Sequence, residues 1–283
     1  MGDELRRLHF AAGFGTAREV AGLLDQVDDV DAVFDDRTAL WQAVNGRNFD
    51  TVELLLAAGA DPARQMMSGW SPARLSLTTE HPLPTDEVLT AEERAAVAER
   101  DRLVAALGRN PDVDGFSIAC VGGIDADEAV RRLDASAVPA DELPDDLDDW
   151  WEEPFGDDNE LAVGITDVPG GCVVMQPWYF NASTPVVAGK LSVGTVVYSM
   201  YANPKSGNQG RIDRDGAVVD WDLHPGGPPN AANSTADVLL IHLYARQAVA
   251  CCCAYAGLRP TDSKAFTEPD RWLLLPDRDY WHA

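Results

Sequence analysis

Three adjacent cysteines, Cys251, Cys252 and Cys253, sit in the apolar run "AVACCCAYAGL" and carry the most reactive side chains in the chain. Thiolates bind zinc and attack carbonyl carbons, but both roles need convergence. On a helix consecutive side chains point about 100° apart, so three neighbours cannot meet at one ion. Helical metal pairs need a spacing of three or four, and no Cys-x-x-Cys occurs. Core packing is therefore expected for this run, with no bound metal. A second constellation is His242 and Arg246, four residues apart on the same expected helix. Reaching toward Asp220 or Asp222, they would form a polar site under a sheet; otherwise they mark the helix's one wet stripe. A third is "PDDLDDWWEEPFGDD". Between Asp141 and Glu160 there are eleven carboxylates and no Lys, Arg or His. Asp145, Asp146, Asp148 and Asp149 lack the central Gly and terminal Glu of a calcium loop. Their chemistry is steering of a basic partner, with Trp150, Trp151 and Phe155 as apolar anchors. A hydrated loop pinned by its own rings is the plainer alternative.

No Walker loop, Gly-x-Ser-x-Gly, His-Glu-x-x-His or dinucleotide fingerprint is present, so no cofactor and no catalytic residue is expected. An enzyme assembled from distant residues stays open. With 46% hydrophobic and 24% charged residues over 283 positions, the chain is globular and long enough for two domains. Its net charge of −25 is the departure. Residues 1–110 hold 11 basic and 19 acidic side chains, and the remainder holds 11 and 28. That field repels nucleic acid and anionic membrane and attracts basic proteins. The start "MGDELRRLHF" has no secretory pattern and no apolar run reaches a membrane span, so a cytoplasmic protein is expected. Three Lys against nineteen Arg point to a GC-rich bacterial genome.

What could position such residues begins with a repeat. "LHFAAGFG" (residues 8–15) aligns with "LWQAVNGR" (40–47), and Val20, Leu23 and Leu24 then fall on Val52, Leu55 and Leu56. "SGWSPARLSL" (68–77) repeats the opening of "DDRTALWQAV" (35–44). The spacing and residues resemble ankyrin repeats. Thr38-Ala39-Leu40 and Ser71-Pro72-Ala73 stand at that family's Thr-Pro-Leu, and "TVELLLAAGADP" at its second helix and turn. The resemblance places His9 at the family's loop-bonding His position, which Trp41 and Arg74 replace in the next two units. It also implies protein binding, with Phe34, Met66, Met67 and Trp70 on loops and Trp41 on an inner helix as contact candidates. Each of these could equally pack between repeats. After Leu77, Pro82 and Pro84 break the third unit, and "TAEERAAVAERDRLVAALG" reads as its displaced outer helix, boxed by Thr90 and Glu93 and stopped at Gly108. Leu24, Leu40, Leu55 and Leu56 are expected to be buried.

From about Gly115 the apolar period shifts toward two. "GFSIACV" is a strand, followed by a helix with Asp125 as N-cap. Hairpins are expected at Pro169-Gly170-Gly171 and at Asp215-Gly216. "TADVLLIHLYARQAVACCCAYAGL" reads as one long helix across the sheet. The segments "GFSIACVGGIDADEAVRRL", "LAVGITDVPGGCVVMQPW" and "RDGAVVDWDL" resemble a domain of unknown function in actinobacterial proteins, over roughly residues 112–275. That resemblance implies a fold and no catalytic residues.

The expected architecture is α plus α+β: a short ankyrin-type helical stack with a capping helix over residues 1–110, then an acidic, mostly antiparallel sheet domain with two helices on one face over 111–283. The expected function is a cytoplasmic protein–protein interaction module, concretely an immunity- or inhibitor-like protein masking a basic partner such as a nucleic-acid-cleaving toxin. The alternative is an enzyme of bacterial secondary metabolism, with a cavity between sheet and long helix near Asp220, His242 and Arg246.

Overall fold

Short hydroxyl side chains set the helix starts in the first part of the chain. The structure, a computed structural model, describes residues 2–108, 115–138, 160–230 and 232–282. Thr38 and Ser71 accept the backbone N–H groups of Trp41 and Arg74 at 3.1 and 3.0 Å. Helices α3 (Ala39–Asn45) and α5 (Pro72–Ser76) therefore begin at equivalent points of the repeat. Helix α1 (Gly2–Phe14) packs against α3 and against α2 (Ala17–Leu24), which a Thr16–Glu19 capping box opens. Helix α4 (Phe49–Ala57) packs on both α2 and α3, and α5 adds to α3. The first two units approach closely because two glycines meet: a Cβ on Gly46 would lie 2.5 Å from the Gly13 carbonyl oxygen. The Asn48 side chain then donates to the carbonyls of Ala12 and Gly15, at 3.2 and 2.9 Å. Leu40 and Leu55 are fully buried. Leu24 and Leu56 are only half-buried, a departure from expectation, because their outer helices keep one side toward solvent. The boxed helix α6 (Ala91–Leu107) forms as expected, with Thr90 and Glu93 exchanging hydrogen bonds of 2.8 and 3.2 Å.

Among the described residues the sheet has eight strands in the order β2-β8-β3-β4-β1-β5-β6-β7, every neighbouring pair antiparallel. They are β1 (Ser117–Gly122), β2 (Ser136–Ala137), β3 (Ala162–Val168), β4 (Gly171–Gln176), β5 (Val196–Asn203), β6 (Gly207–Arg214), β7 (Ala217–Leu223) and β8 (Arg271–Leu274). Both expected hairpins form. Gly170 turns β3 into β4, and Asp215 and Gly216, both at positive φ, turn β6 into β7. One face carries Ala119, Val121, Val163, Ile165, Val174 and Val197. It packs beneath helix α7 (Ala126–Leu133) and helix α8 (Pro185–Leu191), a helix the sequence reading missed. Strand β1 is buried along its whole length, so the opposite face must be covered too.

What covers it is half of the expected long helix. That segment is two helices, α9 (Thr235–Leu243) and α10 (Ala248–Ala256). Between them Arg246 adopts φ +62°, and its N–H donates to the Gly226 carbonyl at 2.7 Å. Nothing in "LYARQAV" breaks a helix locally, so this tertiary bond outweighs the roughly 1–2 kcal/mol a left-handed residue costs. Helix α10 packs on β1 and β5, the face opposite α7 and α8. Residues 1–99 with 227–245 form one compact unit and residues 100–226 with 246–283 another. The division falls inside α6 and assigns α9 to the helical unit, whereas the sequence reading placed it on the sheet.

Candidate protein-interaction site

Helix α9 belongs to the repeat stack through a set of specific bonds. Trp70 donates its indole N–H to the Thr235 carbonyl at 3.0 Å. Ser68 donates to the Asn233 carbonyl at 2.6 Å and receives Thr235 at its own carbonyl at 3.1 Å. At the other end His242, fully buried, donates Nδ1–H to the Asn45 side-chain oxygen at 2.9 Å. Its Nε2 shares a hydrogen bond of 2.8 Å with the Thr78 hydroxyl. The chain's own helix therefore lies along the side of the stack built by α3, α5 and the loop before α5. All seven residues of α3 are buried, chiefly by α1, α4 and α5.

This arrangement corrects two expected contact residues. Trp41 and Trp70 have no exposed surface: Trp41 lies within α3, and Trp70 bonds α9 and stacks beneath the Arg74 guanidinium at 4.3 Å. Both are packing residues, and neither is available to a partner. Met67 is buried as well, whereas Met66 is half-buried. Phe34 remains at the surface at 36% exposure, on a tight turn closed by reciprocal backbone bonds with Arg37. His9 bonds as the repeat pattern implies, donating to the Ala32 carbonyl at 3.1 Å. Burial pulls its imidazole down to about 4, so the ring is neutral near pH 7.

The polar site expected from Asp220, His242 and Arg246 does not assemble within either unit. His242 is satisfied by Asn45 and Thr78 in the helical unit, Arg246 sits in the turn before α10, and Asp220 is exposed on β7. The cysteines are packed. Cys251, Cys252 and Cys253 are buried on α10, with Cys253 Sγ 3.8 Å from Cys120 Sγ across the β1–α10 contact. Burial pushes the Cys251 thiol up to about 12, far from thiolate reactivity. Asp145, Asp146, Asp148, Asp149, Trp150, Trp151 and Phe155 lie outside the described residues.

The surface that sequence reasoning missed is β7. It ends the sheet order, and six of its seven residues are exposed. Trp221 is 72% exposed, with Asp220 and Asp222 on either side and Val218 and Val219 at 51% and 57%. Its register on β6 skips Val219 and Asp222, so the strand carries two bulges. Trp221 stands opposite Arg211, which is fixed by two bonds of 2.6 Å to the buried Asp213 carboxylate. A large ring held out on the sheet edge between two carboxylates can anchor a partner and attract positive charge to it. The signal was the order of the hairpin: "AVVDWDL" is followed by a Pro- and Gly-rich loop instead of another strand.

Residues 35–66 match the family model of the ankyrin repeat. The match covers α3, α4 and the turn after them, the unit whose caps and packing are described above. No curated protein matches the chain. Ankyrin repeats mediate contacts between proteins, so the chain carries a protein–protein interaction module. Among the described residues no helix is long and apolar enough to cross a membrane.

Proposed function

We propose that this protein captures a basic protein partner and masks it, in the manner of an inhibitor or immunity protein, within the bacterial cytoplasm. The reading rests chiefly on Trp221, a ring with 72% of its surface open beside two carboxylates on the end strand of the sheet. Aromatic residues dominate binding hot spots, and complementary charge speeds encounter. The net charge of −25 and the eleven carboxylates between Asp141 and Glu160 supply the attracting field. The two bulges of β7 discourage a partner strand from simply extending the sheet, so contact is through the Trp221 ring, Val218, Val219 and the flanking acids. The repeat stack contributes the Phe34 turn and Met66, since α9 occupies the side where Trp70, Asn45 and Thr78 lie. The resemblance of residues 112–275 to an actinobacterial domain of unknown function is part of the same reading.

The test begins with affinity capture from the source cell and kinetic measurement on the captured protein. The partner is expected to be basic, with association slowing as salt rises from 50 to 500 mM. Trp221→Ala is expected to speed dissociation at least tenfold, and Asp220→Asn with Asp222→Asn to slow association. A neutral or acidic partner whose binding ignores both salt and Trp221→Ala would overturn the reading.

A further inference from the structure

The first helical pair leaves a groove that runs against the charge of the whole molecule. On α1 the residues Arg6, Phe10 and Phe14 recur every four positions and form one stripe. From α2 Arg18 and Leu23 face the same space, and Arg7 borders it. The groove encloses about 760 Å³. Phe10 and Phe14 are 67% and 54% exposed, with ring centroids 5.3 Å apart. Three guanidinium groups thus line a site with a single carboxylate, Glu19, in a chain that carries 47 acids against 22 bases. Glu19 is also committed, since it accepts the N–H and hydroxyl of Thr16 in the cap of α2 at 2.7 and 3.0 Å. Arg6 keeps a 2.8 Å pair with Asp3 at the solvent side.

A second observation concerns Gly22. It lies in the last turn of the eight-residue helix α2, where glycine still disfavours a helix relative to alanine. Neither reason that usually keeps a glycine in a helix applies. Its φ is ordinary, and a Cβ built there would meet nothing within 4 Å. The fold gains nothing from the missing side chain, but the groove gains a floor on which another backbone can come close.

We propose that the α1–α2 groove docks an acidic amphipathic helix of a partner protein. Two helices side by side present ridges and a furrow that a third helix fills with side chains at i, i+4 and i+7. Phe10 and Phe14 receive the apolar face over the buried Leu23, and Arg6, Arg7 and Arg18 meet the carboxylates flanking it. Phe and Arg are residue types enriched in protein interfaces, where Glu and Asp are depleted. A second copy of the chain fits poorly, because a two-fold stack would set the three arginines against themselves. The net negative charge is screened beyond about 8 Å at physiological ionic strength, so local charge governs the docked state. This site takes the opposite charge from the β7 edge and stands or falls separately from it.

The experiment uses the full chain and three labelled 18-residue helical peptides with one Leu/Phe face. Their polar faces are Glu, Lys or Gln, and binding is read by fluorescence anisotropy. The Glu peptide is expected to bind at least tenfold more tightly than the Lys peptide, and Arg7→Glu with Arg18→Glu to reverse that order. Gly22→Leu is the control against misfolding: it should unfold at a temperature no lower than wild type and lose at least tenfold in affinity for the Glu peptide. Equal binding of the Glu and Lys peptides, an unchanged preference in the double variant, or full binding by Gly22→Leu would each overturn the proposal. So would a dimer in sedimentation that Phe10→Glu dissociates.

Discussion

At the scale of single residues, two buried histidines carry opposite lessons about polar groups in a core. His242 is satisfied on both ring nitrogens, by Asn45 and Thr78, so its removal would leave an amide and a hydroxyl buried without it. We expect His242→Ala to cost about 2–4 kcal/mol in chemical denaturation, the combined effect of lost bonds and a cavity. A loss below about 0.5 kcal/mol would show that the ring is not a keystone of the helical unit. His9 acts through pH. Its folded imidazole titrates near 4, below the ordinary value of about 6.5. The folded state therefore keeps the ring neutral while the unfolded chain takes a proton. Its contribution is complete above about pH 6.5 and falls as pH drops toward about 4, by up to about 3 kcal/mol. Urea titrations from pH 7 to 4.5 should show a shallower loss for His9→Gln than for the parent, and parallel curves would exclude this role.

At the scale of elements, the parts legible in the sequence were those set by local chemistry. Thr90 and Asp125 are caps that act within three residues, and both accept the expected N–H; Thr38 and Ser71, read from the sequence only as repeat positions, cap in the same way. Asp215-Gly216 makes its turn because both residues tolerate positive φ. The allegiance of α9 was not legible. It depends on Trp70 bonding Thr235 and His242 bonding Asn45, contacts that span 165 and 197 residues of sequence. The break at Arg246 has a different origin, the bond from its N–H to the Gly226 carbonyl twenty residues earlier. On α10 the three thiols are buried. Cys252→Ala is expected to cost about 1 kcal/mol, with no zinc in either protein by elemental analysis. Stoichiometric zinc lost on that substitution would contradict it.

At the scale of the whole molecule, charge and exposed rings define what the protein can do, and neither is explained by folding. A net charge of −25 disfavours the compact state through self-repulsion, and Trp221, Phe10 and Phe14 leave apolar surface in water. In the function proposed above, both serve the binding of another protein. The most direct test of the β7 reading is amide hydrogen exchange on the full chain, free and with its captured partner. Slowed exchange across Ala217–Leu223, with no change in α3 and α9, is the result expected. Protection confined to the Phe34 turn and Met66, with β7 exchanging as in the free protein, would contradict it.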